Sequence, residues 1–216
     1  AGSVRQRLGR VTRVILASGS PRRRELLAAL VDAFEVVPSG VEEPLDAPPV
    51  ENAMRLARDK ARDVLSRDPG AVVIGADTIV FLDGRSYEKP TDADDALRIW
   101  RELRGRTHGV VTGVAIVSAA TESTGAVVSD VTLNDLPDEA VRAYVASGRP
   151  MDKAGAYAIQ DEDVPTVTRL DGCYCNVMGL PLWTLRRLLE RSGVATREPS
   201  GMFERCRACP DREFGG

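Results

Sequence analysis

Three arginines, Arg22, Arg23 and Arg24, stand directly after Ser18-Gly19-Ser20-Pro21. A turn ending in Ser-Pro suits the start of a helix, with Ser20 as the cap and Pro21 at the first position. The first helical turn is electropositive and favours Asp or Glu. Three guanidinium groups there run against the local rule, and such conflicts concentrate at functional sites. Backbone N–H groups at a helix start bind phosphate, and arginines add a two-pronged grip on anionic oxygens. The plainer reading is a solvated basic surface. A second candidate is Asp77, within Gly75-Ala76-Asp77-Thr78, which interrupts an apolar run over 71–82. A carboxylate in such a run is costly unless it is paired or bound to a cation. It can ligate a metal or take a proton from water, or be a hydrogen-bonded aspartate at a strand kink. Lys60 in an Ala-rich segment, Lys89 before Pro90 and Lys153 after Asp152 are further cations, each ordinarily a surface group. Glu42-Glu43-Pro44 is ordinarily a solvated loop. Neither phosphate-loop glycine pattern occurs. The residues alone point to an anion-binding protein with a candidate metal carboxylate.

The elements that must position these groups follow from hydrophobic periodicity. Residues 11–17 read as a buried first strand and 21–31 as a helix, with a second strand over 34–38. The Pro-rich, acidic stretch 41–50 reads as a loop. Met54, Ala57, Ala61 and Leu65 give 51–66 a helical stripe. Asp83-Gly84 marks a hairpin turn. Thr91 with Asp94 resembles a capping box opening a helix that Gly105 ends. Strands are expected over 109–117, 126–133 and 164–170, and helices over 137–146 and 180–191. From about 194 the chain turns polar and loses its period, which predicts a domain over 11–193 followed by a mobile tail over 194–216. Alternating strands and helices with some hairpins give a single-domain α/β class with a mixed sheet.

A chain of 216 residues supports one sizeable core. The net charge of −3 argues against a nucleic-acid partner, which needs a Lys/Arg excess. No apolar run approaches the roughly 18 residues of a membrane span, and residues 1–10 lack the apolar core of a secretion signal. The four cysteines, Cys173-x-Cys175 and Cys206-x-x-Cys209, are accordingly expected as reduced cytoplasmic thiols, with a four-thiolate zinc site as the alternative. His108 is the one histidine, so a two-histidine metal site is excluded.

The stretch Ile15-Leu16-Ala17-Ser18-Gly19-Ser20-Pro21-Arg22-Arg23, followed by Glu25-Leu26-Leu27, resembles the opening motif of the Maf family of nucleotide pyrophosphatases, first named as septum-formation inhibitors. The resemblance continues in order through Ser39-Gly40-Val41-Glu42-Glu43, Ala57-Arg58-Asp59-Lys60-Ala61, Ile74-Gly75-Ala76-Asp77-Thr78, Glu88-Lys89-Pro90 and Leu103-Arg104-Gly105-Arg106-Thr107-His108. It resumes at Met151-Asp152-Lys153-Ala154-Gly155-Ala156-Tyr157-Ala158-Ile159-Gln160 and Asn176-Val177-Met178-Gly179-Leu180-Pro181. It implies an elongated α/β fold with a deep cleft, shared with inosine-triphosphate pyrophosphatases. It also implies hydrolysis of a nucleoside triphosphate to the monophosphate and pyrophosphate with a divalent cation, Mg²⁺ or Mn²⁺. Carried over by motif, Asp77 is the proton acceptor and a metal ligand, Glu42 helps hold the metal, and Arg22, Arg23, Lys60, Lys89 and Lys153 bind substrate. Arg22, Thr78 and Gln160 match the specificity positions of the branch acting on dTTP and UTP, and modified pyrimidine nucleotides fall within the same reading. The resemblance is compatible with a homodimer. Its alternative is a nucleotide-binding regulator of division with little catalysis. One departure is Asp161-Glu162-Asp163, which stands where the family usually has Gly after the glutamine; three acids beside a triphosphate would repel it unless they bind metal or point outward.

Overall fold

The computed structural model describes residues 12–161, 163–201 and 204–212. Along the chain run β1 (Val14–Leu16), α1 (Pro21–Ala28), β2 (Glu35–Val36), α2 (Pro49–Arg67), β3 (Val72–Leu82), β4 (Arg85–Tyr87), α3 (Ala93–Leu103), β5 (Thr107–Val117), β6 (Glu122–Leu133), α4 (Asp138–Ala146), β7 (Val167–Asp171), α5 (Tyr174–Met178) and α6 (Leu182–Arg191). They form the single-domain α/β fold with a mixed, seven-stranded sheet in the order β2-β1-β3-β5-β6-β7, with β4 paired to β3. β1 pairs in parallel with β2 and β3, and the pairs from β3 through β7 are antiparallel.

The apolar run at 71–82 does not break. Gly75-Ala76-Asp77-Thr78 stays within β3 and pairs with β5, Asp77 standing opposite Gly113. The aspartate is therefore a mid-strand residue rather than one at a kink. β5 covers one edge of β3 from Val73 to Phe81. On the other edge β1 pairs only as far as Ile74, and β4 begins at Val80. Among the described residues, Gly75 to Ile79 thus lie along an edge with no neighbouring strand, at the point where β1 leaves for α1. A ligand site belongs at such a place in an α/β sheet.

Alternate residues of β3 and β5 face opposite sides. On one face Val73, Ala115 and Val117 pack under Ala57, Ala61 and Val64 of α2. On the other, Ile74, Ala76 and Ile116 pack with α1, α5 and α6, while Val80 and Val110 pack with α3 and α4 in a separate cluster. The cleft opens between these two clusters. The helix–sheet contact under α2 is close because two glycines permit it. A Cβ on Gly75 would stand 1.9 Å from the Ala57 carbonyl oxygen, and one on Gly113 would stand 2.3 Å from the Ala53 backbone.

Several local details shift. Residue 11, part of the expected first strand, lies outside the described residues. α2 begins two residues earlier than its apolar stripe. The cap of α3 is Asp92, whose side chain accepts from Asp95 N at 2.8 Å; Thr91 instead donates its backbone N–H to Asp95. Asp83-Gly84 is the expected turn, with φ of 51° and 77°. β4 and α5 are too short to show a period.

The stretch after 193 differs most from expectation. Its described residues, 194–201 and 204–212, pack on the body of the protein. Val194, Cys206 and Cys209 are buried in the cluster beneath α6. Trp183 donates to Cys206 O at 3.0 Å. Asp211 accepts from Thr184 N and Thr184 Oγ1 at 3.0 and 2.8 Å and pairs with Arg187 at 2.7 Å. It caps the start of α6, where Pro181 supplies no side-chain cap. Three short 3₁₀ turns carry this segment, and none has the length for a readable period.

Two outcomes follow from this packing. Gly75→Ala should destabilise the protein by about 3 kcal/mol, because the methyl meets a helix carbonyl rather than a flexible side chain; the midpoint of urea unfolding checks this. His108 is buried, its ring Nε2 lies 2.8 Å from Tyr157 Oη, and burial pulls its pKa from 6.5 down to about 4. A folded-state pKa below the unfolded value means that the fold accepts the neutral ring. The contribution is intact above pH 6.5 and is lost as the pH falls toward 4, on the order of 3 kcal/mol in full. The stability advantage of the native chain over His108→Gln should therefore shrink across that window, as thermal unfolding at stepped pH will show.

Candidate active site

Ser20 caps α1 in extended backbone, its Oγ accepting from Arg23 N at 3.4 Å, with Pro21 in the first turn. The three arginines that follow separate. Arg24 is exposed. Arg23 turns inward, and its guanidinium donates to Gly179 O at 2.9 Å, Ser18 Oγ at 3.2 Å and Thr78 Oγ1 at 3.0 Å. Thr78 Oγ1 lies 2.9 Å from Thr112 Oγ1, which donates to Asn176 O at 2.8 Å. Donors and acceptors align along that series, so Arg23 is fixed directly by Ser18, Thr78 and the Gly179 carbonyl, with β5 and α5 holding Thr78 from behind. Burial lowers the Arg23 pKa from its usual value, opposed by the charges of Asp77 and Glu43.

Arg22 pairs with Asp152 at 3.1 Å. The same carboxylate takes Lys153 Nζ at 2.6 Å, and Lys153 also donates to Arg149 O at 2.5 Å. The segment carrying Lys153 is held in a tight turn. Ala156 has φ of 57°, a conformation costing about 1 kcal/mol outside glycine, and Trp100 Nε1 clamps its carbonyl at 2.8 Å. Gly155 N donates to Glu88 O at 3.2 Å, which ties this turn to the one bearing Lys89.

On the α2 side, Lys60 Nζ sits 2.6 Å from Asp77 Oδ1 and 2.8 Å from Glu43 Oε1. The Lys60 and Asp77 side chains are only 9% and 7% exposed. The Glu43 carboxyl is held below its usual range: partial burial would raise it, but the Lys60 hydrogen bond and the charges of Lys60, Lys89 and Arg23 outweigh that.

Arg22, Arg23, Lys60, Asp77, Thr78, Lys89, Lys153 and Gln160 all line one cleft of about 620 Å³. Of the nine residues carried over by motif, eight come together. Glu42 does not. It is exposed and away from the cleft wall, and its neighbour Glu43 takes the place on Lys60. In a loop without regular alternation, the sequence cannot decide which of two adjacent glutamates faces inward. Sequence reasoning also missed the supporting groups Ser18, Thr112, Asp152, Tyr157, Asn176 and the Gly179 carbonyl. A signal existed for some of them, since polar residues in mainly apolar stretches need partners.

The acids after Gln160 are directed away from the cleft where they are described. Asp161 accepts from Tyr144 Oη of α4 at 2.5 Å, and Asp163 pairs with Arg149 at 3.5 Å. Glu162 lies outside the described residues. Among the described residues no three His, Cys, Asp or Glu side chains are gathered to hold a metal ion, and no helix is long and apolar enough to cross a membrane.

Residues 13–192 match the family described as Maf-like protein. Among similar proteins, one from Thermococcus gammatolerans is 47% identical over 178 residues, covering 81% of this chain and 96% of that protein. One from Thermomicrobium roseum is 43% identical over 202 residues, covering 91% and 93%. One from Geobacter metallireducens is 49% identical over 175 residues, covering 79% and 91%. All three carry the name dTTP/UTP pyrophosphatase. With the cleft, its ordered cations and this match over most of its length, the chain belongs to the Maf family.

Proposed function

We propose that the protein hydrolyses nucleoside triphosphates, dTTP and UTP foremost, to the monophosphate and pyrophosphate in this cleft. The observation that carries the reading is the placement of Lys60 between Glu43 and Asp77, in a cleft also lined by Arg22, Arg23, Lys89 and Lys153. The names of the relatives supply the nucleotides. A triphosphate of about −4 charge needs several fixed cations around its oxygens, and catalysis of phosphoryl transfer rests on such positioning and neutralisation. Water attacks the α-phosphorus, the bond to the α,β-bridging oxygen breaks, pyrophosphate leaves, and Asp77 takes the water's proton. Lys60 occupies one Asp77 oxygen and orients the carboxylate.

A divalent cation, Mg²⁺ or Mn²⁺, fits the donor set. Glu43 and Asp77 each give one carboxylate oxygen to the Lys60 ammonium, and their second oxygens, together with substrate phosphates, would hold the cation. Mg²⁺ is commonly held by one or two carboxylates together with substrate phosphates. When bound, the cation would supply further neutralisation of the phosphate oxygens. Thr78 acts on substrate choice through the placement of Arg23, while Arg22 and Gln160 face the cleft themselves. The reading puts the enzyme in the cytoplasm, on the free nucleotide pool and without a nucleic-acid or membrane partner. A homodimer is compatible with the resemblance.

Asp77→Asn should keep the fold and lower kcat about 10³-fold, within the usual range for loss of a general base. The check is turnover of a triphosphate panel with Mg²⁺ or Mn²⁺, resolving monophosphate, pyrophosphate and orthophosphate. Near-normal kcat in the variant removes Asp77 as the acceptor. Orthophosphate as the product indicates a phosphatase, and nucleotide binding without any product indicates the regulatory alternative.

A further inference from the structure

No cysteine lines the nucleotide cleft, yet all four cysteines are buried. Cys173 caps the start of α5 and Cys175 lies in its first turn; Cys206 and Cys209 belong to the C-terminal segment laid over it. They meet as two pairs. Cys175 Sγ lies 3.2 Å from Cys206 Sγ, and Cys173 and Cys209 are buried in the same cluster, each shifting the other's ionisation. The pairing is nested, with the inner residues of the two segments together and the outer ones together. Four thiols that bind one metal converge on a common centre. Here, among the described residues, no three potential ligands do so. Two thiols that form a disulfide need only each other.

We propose that these pairs are an oxidisable clamp, in which disulfides Cys175–Cys206 and Cys173–Cys209 fasten the C-terminal segment onto α5 and α6. The oxidant is a low-molecular-weight disulfide. Cys206, as the thiolate, attacks one sulfur of the external disulfide and expels a thiolate. Cys175 then gives up its proton and attacks Cys206 Sγ, expelling the second thiolate. Each protein disulfide formed reduces one external disulfide to two thiols. The second pair follows the same course through Cys209. The direction of attack suits the charges. Cys206 and Cys209 have lowered pKa values because the sulfur of the opposite residue hydrogen-bonds to each, whereas Cys173 and Cys175 are raised by the same bonds and by burial. Access comes from opening of the segment, which rests on short turns and a few anchors: Trp183 to the Cys206 carbonyl, Asp211 at the start of α6, and Arg205 stacked 4.3 Å from the Tyr174 ring centroid.

The clamp bears on the site through α5. Cys175 is next to Asn176, whose carbonyl ends the hydrogen-bond series from Arg23, and the helix closes at Gly179, whose carbonyl also holds Arg23. The proposal does not depend on which substrate the cleft takes.

The test uses the full chain, reduced and then incubated with glutathione disulfide, unfolded in guanidinium with N-ethylmaleimide, and weighed intact. The expected product takes up no maleimide and weighs about 4 Da less than the reduced chain, two hydrogens per disulfide. Peptide mapping should join Cys175 to Cys206 and Cys173 to Cys209. Because these links close long loops, thermal unfolding should rise by about 5–10 °C. Cys206→Ser should retain the Cys173–Cys209 link alone, with one maleimide on Cys175 and, apart from that adduct, a mass about 2 Da below its own reduced form. Four alkylated thiols after the incubation, a local Cys206–Cys209 bond, or a stoichiometric zinc ion protecting all four thiols in the purified protein would each overturn the proposal.

Discussion

The site depends on how closely α2 approaches the sheet. Where Gly75 and Gly113 leave the surface bare, the helix backbone descends to van der Waals contact, and Ala53, Ala57 and Ala61 keep its underside small. Lys60 is thereby carried to the rim of the sheet, within hydrogen-bond reach of Asp77. A larger residue at either glycine would lift the helix and part the pair. Burying an ammonium and a carboxylate is weak support for stability, since loss of hydration offsets much of their attraction. The arrangement makes sense as a pre-formed electrostatic device: a carboxylate kept in place by a cation that is itself shared with Glu43.

A second arrangement holds the other side of the cleft. Arg23 sits at the start of α1, yet its position is set by β3, β5 and α5 through Thr78, Thr112 and the carbonyls of Asn176 and Gly179. Asn176 is anchored in turn, its side-chain amide donating to Val110 O and Ser129 Oγ. A long, flexible side chain is thus given one position before any anion arrives, which lowers the ordering cost of binding. The strained turn at Gly155-Ala156, fixed by Trp100, does the same for Lys153. Two lobes with separate apolar clusters each present preset cations to the gap between them.

Much of this was legible in the sequence. The Ser20-Pro21 helix start, the conflict of arginines in its first turn, the lysine in an Ala-rich helix and the aspartate in an apolar run were visible as local chemistry, and family motifs joined them into one site. What stayed hidden had physical reasons. Glu43 instead of Glu42 faces Lys60 because the loop has no period from which to read a face. Asp77 did not mark a break because pairing with β5 on one side and Lys60 on the other lets a strand carry it. The segment after 193 looked like a tail because its anchors are single contacts, an aspartate capping a distant helix and thiols meeting thiols, and none repeats along the chain.

The two faces of the sheet also differ in when they can be finished. The cluster under α2 draws its buried residues from positions 15 to 117. The cluster on the opposite face, beneath α1 and α6, reaches from Val14 to Cys209, and the cap of α6 comes from Asp211. During synthesis, which proceeds from the N-terminus, the first face can close before α4, α5 and α6 have been made. The second must wait for the final turns to emerge, leaving α6 uncapped and its apolar underside partly bare until then. The nascent protein is therefore most exposed to wrong contacts on a face that the mature fold covers.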